Sequence, residues 1–367
     1  MTASPNDIAW TDPVRRQIFF SWLSDLASRD NVPKLDAASL RLASADASFR
    51  RYFRINAASA DASYIIMDAP PDKEDCKPFA HVATLMLEAG LQAPRVLAWD
   101  ETSGFMLLSD LGSKTMMEAM ALPSAVDAIA QPGAADHDLY LAATDVLVRW
   151  QLVSKPGVLP AYDDALLSRE INLFPEWYIA KHRSITLRPE QQATLDSAFA
   201  LIKASNLDSL DGARVYVHRD FMPRNLMVTG QADAPLGVLD FQDAVYGPIT
   251  YDIASLMRDA FLTLEEDFVL DITIRYWQKA RKAGLPVGDD FGEFYRAVEW
   301  MGLQRHLKIL GIFARLTLRD GKPKYLADTP RFIKYVRATC ARYRQLGPLM
   351  VLLDEIEGNE TRIGYTF

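Results

Sequence analysis

His218-Arg219-Asp220-Phe221-Met222-Pro223-Arg224-Asn225 is followed, fifteen residues after its last member, by Asp240-Phe241-Gln242-Asp243. The spacing reads H-x-D-x4-N and then a further Asp, each on the lip of an apolar run. Val215-Tyr216-Val217 leads into the first group and Leu226-Met227-Val228 follows it. Leu236-Gly237-Val238-Leu239 leads into the second. This is the pattern of a strand, a loop and a short hairpin whose end carries another carboxylate. Phosphoryl transfer needs such a set: a carboxylate to orient and deprotonate an attacking hydroxyl, and hard oxygen ligands to hold Mg²⁺ on a nucleoside triphosphate. Asp220 suits the first role, Asn225 and Asp240 the second. A lone Asp or Asn in a loop is most often a turn residue bonding its own backbone. Three in order between strand-like runs are hard to obtain that way. His218 is read as a loop-holding residue.

Upstream, residues 13–29 carry Val14, Ile18, Phe19, Trp22, Leu23 and Leu26 at helical spacing. Residues 40–55 read as strand, small-residue turn and strand, and 63–67 as a third strand. Residues 79–89 read as a helix closed by Gly90, and 96–99 with 105–108 as a further strand pair. From Gly112 the pattern turns helical, over roughly 138–154, 166–182, 189–204, 250–261, 265–283, 290–316 and 329–345, with Pro189 suited to a helix start. The catalytic hairpin is an island of strand in that half.

The chain's 367 residues allow two lobes. Its 49% apolar and 24% charged content is that of a soluble globular protein. A net charge of −8 argues against an electrostatic nucleic-acid partner. Cys76 and Cys340 form no CxxC, so two reduced thiols in a cytoplasmic protein are expected. The start shows no basic and apolar leader, and no apolar run reaches the roughly 18 residues of a membrane span.

The His218–Asn225 loop and Asp240 resemble the catalytic loop and metal-binding Asp of kinases. Phe221 stands where protein kinases usually have Leu, and Gln242 where they have Gly. The resemblance implies an α+β, bilobal protein-kinase-like fold. Residues 1–107 would form a small β-rich nucleotide-binding lobe, 108–112 a hinge, and 113–367 a large helical lobe. Within that fold the chain resembles the aminoglycoside phosphotransferase family, and Tyr251-Asp252-Ile253-Ala254 extends the likeness. Asp252 there braces the catalytic segment. In finer detail, residues 46–54, 67–71, 218–227 and 240–244 resemble the anomeric N-acetylmuramate/N-acetylglucosamine kinases of cell-wall recycling. That likeness implies ATP and Mg²⁺ as cofactors, a small sugar as substrate and a sugar 1-phosphate as product.

Two departures stand out. The turn at 43–48 has no glycine, although phosphate-cradling loops favour it. Ser44, Asp46 and Ser48 are its candidate phosphate-binding residues. The third strand ends in Met67 where kinases place a Lys that holds the phosphates. Its charge must come from elsewhere. Arg50, Arg51 and Arg54 are the candidates, with Lys73 and Lys77 behind them. By alternation Arg50 and Arg54 share one face with Tyr52, opposite Arg51 and Phe53. Without that Lys, a pairing role for Glu88 is in doubt. Ser109 and Leu111 of the hinge are candidates for the adenine edge. Glu170, Trp177, Arg219, Arg224, Asp243 and Arg305 are candidate sugar contacts. Arg258, Asp259 and His306 are weaker ones. The alternatives are an aminoglycoside or other small-alcohol kinase, and a nucleotide-binding scaffold without turnover, for which Met67 is the supporting feature.

Overall fold

The alternating segments of the first hundred residues form an antiparallel sheet in a computed structural model that describes residues 8–10, 12–45, 49–59, 62–126, 128–229 and 234–358. The chain divides into two compact units, Met1–Lys114 with Met227–Asp243, and Thr115–Leu226 with Ala244–Phe367.

In the first unit, helix α1 (Pro13–Ala27) precedes strands β1 (Leu35–Ala45), β2 (Arg51–Ala57) and β3 (Ser63–Asp68). Helix α2 (Lys77–Glu88) follows, then β4 (Val96–Asp100) and β5 (Phe105–Ser109). The sheet order is β1-β2-β3-β5-β4. The Asp12 side chain caps α1 by accepting the Val14 N–H at 2.8 Å, and Pro13 fills the first turn. Phe19, Trp22, Leu23 and Leu26 of α1 pack on Leu40, Phe53, Ile55, Ile66, Phe105 and Leu107. Each such side chain contributes roughly 1.5–3 kcal/mol on burial. The register sets Tyr52 beside Met67 and Met67 beside Met106. Directly opposed residues share a face, so these three lie on the side of the sheet away from α1.

The segment Met227–Asp243 belongs with this unit for visible reasons. The Val228 N–H donates to the Lys114 carbonyl at 2.9 Å, and the Val238 N–H to Gln92 at 2.8 Å. Phe241 packs on Phe79 of α2 with ring centroids 4.9 Å apart. A Cβ at Gly237 would sit 2.9 Å from a Leu111 methyl and 3.2 Å from the Met227 Cβ. A larger residue there would make the Leu111 methyl shift and the Met227 Cβ give by a few tenths of an ångström.

The second unit holds helices α3 (Met116–Met120), α4 (Ala134–Leu152), α5 (Asp164–Ile171), α6 (Pro189–Gly212), α7 (Thr250–Met257), α8 (Glu266–Lys282), α9 (Phe291–Leu318), α10 (Thr329–Arg342) and α11 (Gly347–Glu357). Strands β6 (Arg214–Val217) and β7 (Val245–Pro248) pair antiparallel between them. Helix α9 is the axis. It is buried on nearly every side from Phe294 to Ala314, as a core helix must be. The expected helix over 166–182 breaks. Helix α5 ends at Ile171, and Phe174–His182 continues as a π-helix starting next to Pro175, which has no N–H to give. A Cβ at Gly311 would lie 2.3 Å from the Leu173 carbonyl oxygen, so α9 passes directly against this break.

Candidate active site

Strand β6 delivers His218, and α7 receives the loop that follows. Asp252, buried on α7, accepts the backbone N–H of His218 at 2.7 Å and of Arg219 at 3.0 Å. Burial pushes the Asp252 carboxyl up, against the nearby His218 and the two N–H donors. The His218 Nδ1 accepts the Asp220 N–H at 3.2 Å, and the Asn225 side-chain N–H donates to the Asp220 carbonyl at 2.9 Å. The backbone of Asp220 is therefore tied on both sides of its Cα. The His218 side chain holds the loop in this way. Arg219 sits at φ +78°, a left-handed conformation that costs a non-glycine residue on the order of 1–3 kcal/mol. The Asp252 bonds help hold it there.

The Arg219 side chain reaches a buried carboxylate that organises the whole neighbourhood. Glu170 of α5 accepts Arg219 Nη2 at 2.5 Å and Lys308 Nζ at 2.7 Å on one oxygen. Its other oxygen accepts the Tyr162 hydroxyl at 2.8 Å, Gln304 Nε2 at 3.1 Å and the Tyr251 hydroxyl at 3.4 Å. Burial acts to raise the Glu170 carboxyl, but Lys308 and Arg219 outweigh it and hold the group far below the usual carboxylate range. Burial likewise opposes the charge on Arg219, and Tyr251 and Glu170 more than restore it. Arg305, also buried, donates to the Arg219 carbonyl and to the Ser255 hydroxyl, both at 2.7 Å.

In the first unit, Asp240 occupies φ +63° and accepts Gln242 Nε2 at 2.9 Å. Among the described residues no cluster of three or more His, Cys, Asp or Glu is placed to hold a metal. A Mg²⁺ shared with phosphates takes one or two protein ligands and fills its octahedron with phosphate oxygens and water. The Asp240 carboxylate and the Asn225 amide oxygen are donors of that hard type.

The three arginines of the 50–54 stretch have distinct surroundings. Arg51 lies on the α1 face, where it and Arg15 both bind the buried Asp68, at 2.5 and 2.6 Å, and its guanidinium sits 4.1 Å over the Trp10 ring. Arg50 binds Glu74 at 3.0 Å. Arg54 binds Asp110 at 2.6 Å and donates to the Gly112 carbonyl at 2.6 Å. Burial raises the Asp110 carboxyl, yet donors from Arg54, Ser63 and Gly112 bring it below its ordinary value. Met67 is wholly buried. Lys73 and Lys77 are exposed and bind Asp72 and Glu101. The Ser109 hydroxyl accepts the Arg95 N–H at 2.8 Å, and Leu111 packs on Gly237. Ser44 is paired with Tyr52 through the β1–β2 register. Asp46 and Ser48 lie outside the described residues.

The sugar candidates separate sharply. Glu170, Arg219 and Arg305 converge, but on one another, with both Glu170 oxygens already in use. Trp177 carries the Lys181 ammonium 3.4 Å over its ring. Arg224 and Asp243 are exposed. The sequence reading missed Lys308, Gln304, Tyr162 and Tyr251. The one available signal was helical spacing, since Gln304 and Lys308 lie four apart and flank Arg305.

The sequence model of the phosphotransferase enzyme family (APH) matches residues 39–287. The chain belongs to this family. Its chemistry is that of a small-molecule kinase. The chain is 45% identical over 350 residues to the N-acetylmuramate/N-acetylglucosamine kinase of Pseudomonas aeruginosa, covering 94% of this chain and 98% of that one. It is 49% identical over 334 residues to the protein of the same name from Neisseria meningitidis serogroup B, covering 89% and 94%. Among solved structures, a Plasmodium vivax ethanolamine kinase superposes with a TM-score of 0.61 at 11% identity, covering 93% of each chain. An ADP-bound aminoglycoside phosphotransferase gives 0.55 at 14%, covering 88% of this chain and 97% of that one. These structures share the kinase-like α+β fold of this phosphotransferase.

Proposed function

We propose that this kinase transfers the γ-phosphoryl group of Mg·ATP to the anomeric hydroxyl of N-acetylmuramate and N-acetylglucosamine. The sugar 1-phosphate would re-enter cell-wall precursor synthesis in the cytoplasm. The observation that carries the substrate is the name borne by relatives at 45% and 49% identity over about nine-tenths of the chain. The intact Asp220, Asn225 and Asp240 support the reaction type. In this reading the Asp220 carboxylate orients the sugar hydroxyl and takes its proton late in a loose transition state. The anomeric hydroxyl is the most acidic of the sugar, so a carboxylate suffices as its base. Asn225 and Asp240 hold Mg²⁺, which supplies charge neutralisation on the phosphates. His218 and Asn225 hold the Asp220 backbone, and Asp252 the two residues before it, so orientation costs little at the moment of reaction.

The missing third-strand Lys is replaced, in this reading, from the face that carries Met67. Arg50 and Arg54 lie there with Tyr52. Arg51 points to α1, where its charge is already matched by Asp68. Ser44, Asp46 and Ser48 are the candidates for the phosphates, and Ser109 and Leu111 for the adenine edge. An ATP-consumption panel tests the proposal, with acetylated amino sugars, aminoglycosides and choline-like alcohols as acceptors. Turnover confined to the amino sugars is expected. Turnover of aminoglycosides or amino alcohols instead would overturn it.

A further inference from the structure

The second unit contains a cavity of about 340 Å³ walled by the catalytic loop, α3 and the chain around Phe261. That is within the roughly 300–1,000 Å³ of small-molecule sites. Met117, Leu122 and Phe261 give it an apolar side, and Glu118, Arg224 and Asp328 a polar one. Arg224 stands one residue before Asn225, in the same loop as Asp220. Its guanidinium lies 4.8 Å over the Phe261 ring.

The charges of this wall are unequal in what they have left to bind. One Glu118 oxygen accepts both the N–H and the hydroxyl of Thr115, at 2.8 and 3.0 Å, in a helix cap. Asp328 lies 3.8 Å from Arg331. Behind the wall, buried Arg331 donates to the carbonyl of Ser124, a further lining residue, at 2.6 Å, while its Nε and Nη1 have no partner among the described residues. Buried Asp259 fixes the Phe261 and Leu262 N–H groups at 2.5 and 2.8 Å. Asp259 feels the charge of both Arg331 and Arg224, although neither reaches it at ion-pair distance among the described residues. Among the described residues Arg224 has no carboxylate at ion-pair distance, unlike Arg50, Arg51 and Arg54. It is a planar cation, laid on an aromatic ring, at the edge of a sugar-sized cavity and four residues along the loop from Asp220.

We propose that this cavity is an acceptor subsite and that Arg224 reads the lactyl carboxylate of N-acetylmuramate, setting its preference over N-acetylglucosamine. The inference rests on the substrate reading above and deepens it. Arginine presents a fork that matches a carboxylate on two bonds. Phe261 orients that fork, and the apolar side accepts the lactyl methyl. N-Acetylglucosamine has no group for Arg224 to pair with.

The test is the ratio of kcat/KM for the two sugars in wild type, Arg224→Gln and Arg224→Lys. Losing a charged hydrogen-bonded pair should lower the muramate-to-glucosamine ratio roughly 10- to 100-fold in Arg224→Gln. Arg224→Lys should keep part of it. Wild type should also lose muramate efficiency when the lactyl carboxylate is replaced by its carboxamide, a comparison that needs no variant to fold. An unchanged ratio in Arg224→Gln, or equal efficiency on acid and amide in wild type, overturns the subsite and leaves the sugar-kinase reading standing. A wild-type enzyme that phosphorylates neither sugar overturns both.

Discussion

Glu170→Gln is the substitution that most strains the account of the catalytic loop. The change is nearly isosteric, but it removes the charge that faces both Arg219 and Lys308 in a buried site. Uncompensated buried charge of this kind costs about 3–5 kcal/mol. For a chain of 367 residues the unfolding entropy scales to roughly 1.3 °C in Tm per kcal/mol, so a fall of about 4–7 °C is expected in thermal denaturation. Turnover should fall as well, because Arg219 directly precedes Asp220 and its left-handed backbone loses a side-chain anchor. Acid dependence gives a second readout. The Glu170 carboxyl is depressed in the folded state, so its contribution is complete above the unfolded value of about 4.3 and is lost as pH falls below it. Wild type should lose Tm steeply below that pH, and Glu170→Gln should lose this component of the slope. A variant that melts within about 2 °C of wild type and turns over normally would refute the hub as an organising element.

Asp220→Asn should fold and bind ATP but lose about 10²–10⁴-fold in kcat; near-normal turnover would remove Asp220 from the chemistry. Asp240→Asn should shift the Mg²⁺ titration to higher concentration, with Asn225→Ala showing a milder shift; unchanged Mg²⁺ curves at full activity would sink the metal assignment. Arg50→Ala or Arg54→Ala should raise the KM for ATP. Arg51→Ala should chiefly lower Tm, since it leaves buried Asp68 with Arg15 alone. An ATP-specific KM effect confined to Arg51 would reverse this division.

The strand, loop and short hairpin around Asp220 and Asn225 were legible because their pattern is local. Asp220, Asn225 and the residues that carry them lie within one octapeptide, and β-branched and aromatic runs announce the strands beside it. Strand alternation also separated Arg50 from Arg51 correctly. Which of the two faces α1 was not legible, because that depends on where Phe19 and Trp22 pack. The hub was hidden for the same reason. Glu170, Arg219 and Lys308 lie on α5, the loop and α9, about 50 and 90 residues apart, and only tertiary packing joins them. Glu170 and Arg305 were noticed as polar residues on helices and read as sugar contacts. Their burial against Arg219 gives them another set of partners. Helix α11 was missed because Leu349 to Leu353 is a short, continuous apolar run, in which helical and strand periodicity cannot be told apart. The break at Asn172 and Leu173 follows from Pro175 and from the approach of α9 at Gly311, of which only the proline is visible locally.

The position of the transferred phosphate tests the central claim most directly. N-Acetylmuramate and N-acetylglucosamine, each incubated with the enzyme and Mg·ATP, should yield products whose phosphorus couples to the anomeric proton in NMR. Coupling to the C6 protons instead, or no phosphorylated product from either sugar, would contradict the account.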